Sequence, residues 1–165
     1  MTPEEAAKDR ASHTAKLALI GAFLGSMATF SLTALRRDAQ PAGKPFDLVL
    51  LGLASYRIGR MLAYERVAAP LRAAVTTTAP DPSGYGETVV ARGEGARKAI
   101  GELLSCPICI STWAAAGLVY GLQLAPAPTR VLASTLGVAG VAELVLGTTE
   151  ALSWQARAAR RRCGE

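Results

Sequence analysis

The chain has 165 residues, about one domain by length, and is 50% hydrophobic with 5% aromatic residues and a mean hydropathy of +0.25. It carries 18 Lys and Arg against 13 Asp and Glu, and its single histidine, His13, leaves almost no material for His-based catalysis. A net charge of +5 would suit a nucleic-acid binder, but apolar blocks separated by basic ones exclude that reading in favour of an integral membrane protein.

Residues 1–16 form a polar N-terminal segment. Residues 17–35 are an uncharged block of 19 residues, close to the roughly 20 that cross a bilayer. This run is longer than the roughly 7–15 apolar residues of a signal peptide, and no small-residue cleavage site precedes Arg36 and Arg37. An uncleaved first transmembrane helix is therefore expected. Gly21 and Gly25 make a G-x-x-x-G within it, a spacing that admits close approach of another helix.

The breaker-rich segment 40–45 leads to a second block, 46–64, uncharged from Leu48 to Tyr56 and then carrying Arg57 and Arg60. A long connection follows, of which 73–95, rich in Thr, Pro and Gly, is expected to be a mobile cytoplasmic loop. Beyond it, Ile100, Leu103 and Leu104 share one helical face while Arg97 and Lys98 turn to water. That pattern predicts a short surface helix before the third span. The third block, 108–124, is uncharged, and the fourth, 131–152, is interrupted by Glu143 and Glu150. The basic tail, 153–165, is placed to meet anionic lipid. The expected fold is all-α: an integral membrane helical bundle of about four transmembrane helices.

Four spans put both termini on one side of the membrane. That side holds Lys8, Arg10, Lys16, Arg66, Arg72, Arg92, Arg97, Lys98, Arg157, Arg160, Arg161 and Arg162. The other holds Arg36, Arg37, Lys44 and Arg130. The excess of basic residues points to an inner, plasma-membrane protein with both termini in the cytoplasm.

Cys106 and Cys109 sit at the junction of surface helix and third span, spaced C-P-x-C. Pro107 suits the first helical position, which makes Cys106 the cap and places Cys109 in the first turn. Three readings stay open. In a reducing cytoplasm a lasting disulfide is not expected, and the two sulfurs can simply pack at the junction. A zinc site needs four ligands, with Cys163 a third, Glu102 a poor fourth, or a homodimer supplying two more cysteines. A thiol at a helix N-terminus is also activated for redox chemistry.

The stretch GEGARKAIGELLSCPICISTW, with the upstream ASYRIGRMLAYERVAAPLR, resembles the two signature blocks of the bacterial family known as domain of unknown function thirteen-sixty. The matching positions are Arg57, Arg60, Glu65, Pro70, Arg72, Glu102, Cys106, Pro107, Cys109 and Trp113. The resemblance covers roughly residues 47–152 within the membrane domain 46–152 and leaves the first span outside. It implies a small membrane protein of actinobacteria, their phages or spore-forming bacilli, and no established activity.

An intramembrane charge is costly unless paired or in reach of water. Arg57 lies eleven residues after Phe46 and Glu143 twelve after Val131, about 16 and 18 Å along their helices. The two charges therefore fall at similar depth, and an Arg57–Glu143 or Arg60–Glu143 pair is expected, with snorkelling of the arginines to headgroups as the alternative. The expected function is a non-enzymatic binding or assembly component of the membrane. Its partners would be the bilayer, anionic lipid, a membrane protein or a second copy, and not nucleic acid. A thiol-redox or zinc protein and a small transporter or pore are the alternatives.

Overall fold

A computed structural model of the chain describes residues 3–36, 45–81 and 87–162. Residues 40–44 of the expected breaker segment 40–45, residues 82–86 of the long connection, and Cys163 lie outside the described residues. Helix α1 runs unbroken over Pro3–Arg36, and α2 over Pro45–Tyr64 with Asp47 in its first turn, where a carboxylate faces the positive end of the helix dipole. Helix α5, Pro107–Leu124, and α6, Pro126–Arg162, close the chain as a helical hairpin. The architecture is all-α in its bundle.

Three of these helices are long and apolar enough to cross a membrane: Arg10–Thr33 in α1, Pro107–Leu124 as α5, and Pro126–Arg160 in α6. Helix α2 falls outside this set because Asp47, Arg57 and Arg60 dilute its apolar run. At 37 residues, α6 extends about 55 Å, well beyond the ~30 Å of a hydrocarbon core. Hydroxyls on the exposed apolar faces bond back to their own helix. Thr29, Thr112 and Thr135 donate to the carbonyls of Gly25, Ile108 and Val131 at 2.8–3.0 Å, so these helices present little unsatisfied polarity to lipid.

Contacts between side chains set the helix directions. Phe23 meets Trp113 and Phe30 stacks on Tyr120, so α1 and α5 run parallel. Leu50 and Leu53 of α2 lie against Gly137 and Gly140 of α6, also parallel, whereas Gly59 meets Ser111 and Pro107 of α5, which reverses the sense of α2 against α5. The core joins Leu51 and Ala54 of α2, Leu118 of α5 and Ala133 of α6. Helix α2 is thus the centre of the bundle despite its charges. Gly21 and Gly25, by contrast, have open space around them among the described residues.

Close helix approach depends on the small residues. A Cβ at Gly59 would lie 2.6 Å from the Pro107 carbonyl oxygen, while one at Gly52 would meet nothing within 4 Å. Gly59→Leu is expected to destabilise the purified protein by about 1–3 kcal/mol through overpacking. Gly52→Ala should be neutral or slightly stabilising, because alanine is the better helix former. Thermal melts of both variants check this, and equal melting points would mean that α2 and α5 do not pack this closely.

The long connection is not a structureless loop. After a 3₁₀ turn at Arg66–Ala68 and a one-turn helix α3, Ala69–Arg72, strands β1, Thr76–Pro80, and β2, Glu87–Ala91, pair antiparallel with Thr76 opposite Ala91. Three consecutive threonines and the Val89–Val90 pair supply the β-branched side chains that a strand favours. The expected surface helix is present as α4, Gly95–Ser105, but it turns Ala99 and Gly101 inward and leaves Ile100 39% exposed. The reason is the hairpin. A Cβ at Gly101 would come within 2.9 Å of the Ala91 Cβ, so only glycine lets β2 lie this close, and the Arg97 Nε donates to the Ala74 carbonyl at 2.7 Å.

A charged mouth and a bonded cysteine pair as the candidate functional site

Arg57 and Arg60 stand one turn apart near the C-terminal end of α2, a spacing that puts both on one face. From the parallel helix α6, Glu143 reaches between them. The Arg60 Nε bonds Glu143 Oε1, and the Arg57 Nη1 lies 3.4 Å from Glu143 Oε2. Arg57 also bonds Glu65, just past the end of α2. The two pairings expected as alternatives are therefore both made, and Glu65 adds a second carboxylate that spacing along one helix does not reveal. The Arg60 guanidinium lies 5.7 Å from the centroid of the Tyr64 ring. Two cations and two anions neutralise one another at a partly exposed end of the bundle.

Arg72 has a different task. It is 8% exposed, and its Nη1 donates to the carbonyls of Leu62 at 2.9 Å and Glu65 at 3.0 Å, with Nη2 3.5 Å from the Tyr64 carbonyl. The last carbonyls of any helix lack intrahelical donors, and a cation there also meets the negative end of the dipole. Arg72 thus caps α2 from α3, whose chain direction Pro70 sets at the start of that turn. The Thr76 hydroxyl donates to the Arg72 carbonyl at 2.9 Å, tying the hairpin to the same point.

Pro107 begins α5, and Cys106 is its cap, with extended backbone (φ −100°, ψ 105°) and a sulfur that accepts from the Cys109 N–H at 3.3 Å. Cys106 and Cys109 are joined as a disulfide, their Cα atoms 5.3 Å apart, a bond not expected to be lasting in a reducing cytoplasm. The physical reason is local. An extended cap followed by one helical turn brings the sulfurs of positions i and i+3 together. No group of three or more His, Cys, Asp or Glu among the described residues is arranged to hold a metal ion.

Glu102 is bound to Lys16 of α1 at 2.7 Å. Trp113 stands edge-to-face with Phe23 of α1, centroids 5.0 Å apart. Both therefore dock the first helix onto α4 and α5, contacts that no local pattern signals because their partners lie some 90 residues away in the chain. Two clefts flank this end of the bundle. One, of about 440 Å³, lies between α1, α4 and α5 and includes Lys16, Phe23, Glu102, Cys109 and Trp113. The other, of about 500 Å³, lies between α2 and α5 and includes Tyr56, Arg60, Tyr64 and Ser111.

The profile of a family described as "Protein of unknown function (DUF1360)" matches residues 50–148, which contain every one of the motif positions and Glu143. The chain is also similar to the Sporulation protein YjcA of Bacillus subtilis (strain 168). The two are 37% identical over 101 residues, 59% of this chain and 86% of that protein. No solved structure matches.

Proposed function

The chain belongs to the DUF1360 family of proteins of unknown function, and from that premise we propose that it is a four-pass plasma-membrane protein serving as a binding or assembly component. Helix α2 is taken as the fourth span. Its direction, antiparallel to α5 and parallel to α6, suits an up-and-down bundle, and Glu65 and Glu143 offset its two arginines. The excess of basic residues at the end that carries both termini supports a cytoplasmic placement for that end.

One observation favours assembly over transport or acid–base catalysis. Arg57, Arg60, Glu65 and Glu143 are engaged with each other, so they act as a polar pin for the bundle rather than lining a path. Polar residues at such sites fix packing in helical membrane proteins. Outside the bundle, Val67 and Leu71 are 71% and 74% exposed beside the hairpin, giving an apolar surface for a partner. The Bacillus subtilis relative is named for sporulation, and by that likeness a protein of the same process is the partner to seek first.

Two experiments test this reading. A Ser83→Cys variant, at a position outside the described residues, is expected to resist a membrane-impermeant maleimide in intact cells lacking the native cysteines. It should label once the cells are opened. Labelling in intact cells would overturn the orientation. A photoreactive residue at Leu71 should give one discrete protein adduct in native membranes, and adducts to lipid alone would remove the assembly reading. The bonded cysteines favour a second reading, in which Cys106 and Cys109 work as a dithiol–disulfide couple. In a reducing compartment such bonds are transient and functional rather than structural.

A further inference from the structure

Cys109 is exposed and forms part of the cleft between α1, α4 and α5, while Cys106 sits half-buried behind it as the helix cap. The rest of that cleft has a definite chemistry. Phe23 and Trp113 supply two aromatic rings set edge-to-face, Leu103 adds an aliphatic wall, and the Lys16–Glu102 ion pair supplies the polar edge. Ile20 and Leu24, 55% and 60% exposed, continue the apolar surface along α1.

Resting on the dithiol–disulfide reading above, we propose that this cleft binds a membrane quinone, which takes two electrons from the Cys106–Cys109 dithiol. A quinone is a flat ring that aromatic and aliphatic walls can hold. Its carbonyl oxygens accept hydrogen bonds, for which the Lys16 ammonium is a donor, and its apolar tail has an exit along Ile20 and Leu24 into lipid. A lipid acyl chain fits the apolar part but makes no use of the sulfur or the ammonium.

The step balances within the cleft. Each thiol gives up its proton, one sulfur–sulfur bond forms, and two electrons leave the sulfurs. The two protons and two electrons convert both quinone carbonyls to hydroxyls. The Cys109 thiolate, in the cleft wall, adds to a quinone ring carbon. Cys106 then attacks the Cys109 sulfur, so that the sulfur–sulfur bond forms as the sulfur–carbon bond breaks and its electron pair leaves with the quinol, which takes up the two protons. The helix N-terminus favours the thiolate that this attack requires.

The test uses the full chain in lipid nanodiscs, reduced, freed of reductant and kept without oxygen. The probe is a short-tailed benzoquinone with an alkyl group at every ring position, so that a thiol adduct has no ring hydrogen to lose and cannot persist as a thioether. Expected is one quinol per chain, with the peptide spanning Cys106 and Cys109 losing two hydrogens by mass. Cys106→Ser and Cys109→Ser should each abolish this, and Cys163→Ser should not. Trp113→Ala should raise the half-maximal quinone concentration by about tenfold, the value of one aromatic contact of ~1.4 kcal/mol. Trp113→Phe, which keeps a ring and is the safer variant for folding, should stay near wild type. A water-soluble azo oxidant, which needs no cleft, should close the disulfide equally in all three tryptophan-position proteins.

Disulfide formation with the azo compound but not with the quinone would overturn the quinone inference and leave the couple standing. Failure with both oxidants would remove the couple as well. Quinone reduction that persists in Cys109→Ser, or that is unchanged in Trp113→Ala, would also overturn the proposal.

Discussion

Glu143→Gln is expected to cost the detergent-solubilised protein about 3 kcal/mol, the low end of the ~3–5 kcal/mol seen when one partner of a buried ion pair is removed. The low end applies because the Arg60 side chain is 45% exposed and reaches solvent or headgroups in part. The loss arises because one carboxylate serves two guanidinium groups, from Arg57 and Arg60, and Glu65 then remains as their only anion of the four-residue set. Glu150→Gln, seven residues on in α6 and exposed, is the control and should change stability by no more than about 0.5 kcal/mol. A double-mutant cycle with Arg60→Gln should return a clear coupling energy, since the two groups are in contact. Equal melting temperatures for the Glu143 and Glu150 variants would mean that headgroups solvate the arginines and that the pin is not formed.

Arg72→Leu is expected to cost about 3 kcal/mol or more. It removes hydrogen bonds from a cation to the Leu62 and Glu65 carbonyls, each worth roughly 1.5–3 kcal/mol. It also takes the side-chain donor from the Leu62 and Tyr64 carbonyls at the end of α2. Arg72→Lys should restore only part of the loss, because an ammonium on a flexible stem does not fork across carbonyls as a guanidinium does. Hydrogen exchange separates this from a general loss of stability. Protection should fall first at the end of α2 and in the hairpin, which Thr76 anchors to Arg72. A melting point within error of wild type for Arg72→Leu would show that water or headgroups cap α2 instead.

The helices were legible because their signals are local. Uncharged runs over 17–35 and 108–124, Pro107 at a helix start, and the cap role of Cys106 depend on neighbours one turn away. The hairpin was masked by Pro and Gly in the same stretch, which read as loop; its strands are specified by pairing of Thr76 with Ala91, a non-local contact. Glu65 and Arg72 stood out only through a resemblance to a known family. Their roles rest on a chain reversal after Tyr64 that no periodicity announces. A reducing compartment disfavours a lasting disulfide, while the local geometry of an extended cap on a helix brings the sulfurs together.

By itself the sequence determined the number and placement of the long helices, the excess of basic residues at one end, and the depth match between Arg57 and Glu143. These follow from hydropathy, charge and a constant helical rise. The tertiary structure alone decided which helix is central and what the motif residues touch. Helix α2, which carries Asp47, Arg57 and Arg60, is the hub because Gly59, Gly137 and Gly140 allow backbones to approach and Glu143 supplies its missing charge. The physical reason is that burial cost is set by partners, not by composition. A charged helix is admissible inside a bundle wherever distant residues bring it counter-charges, and the chain encodes those partners only through its fold.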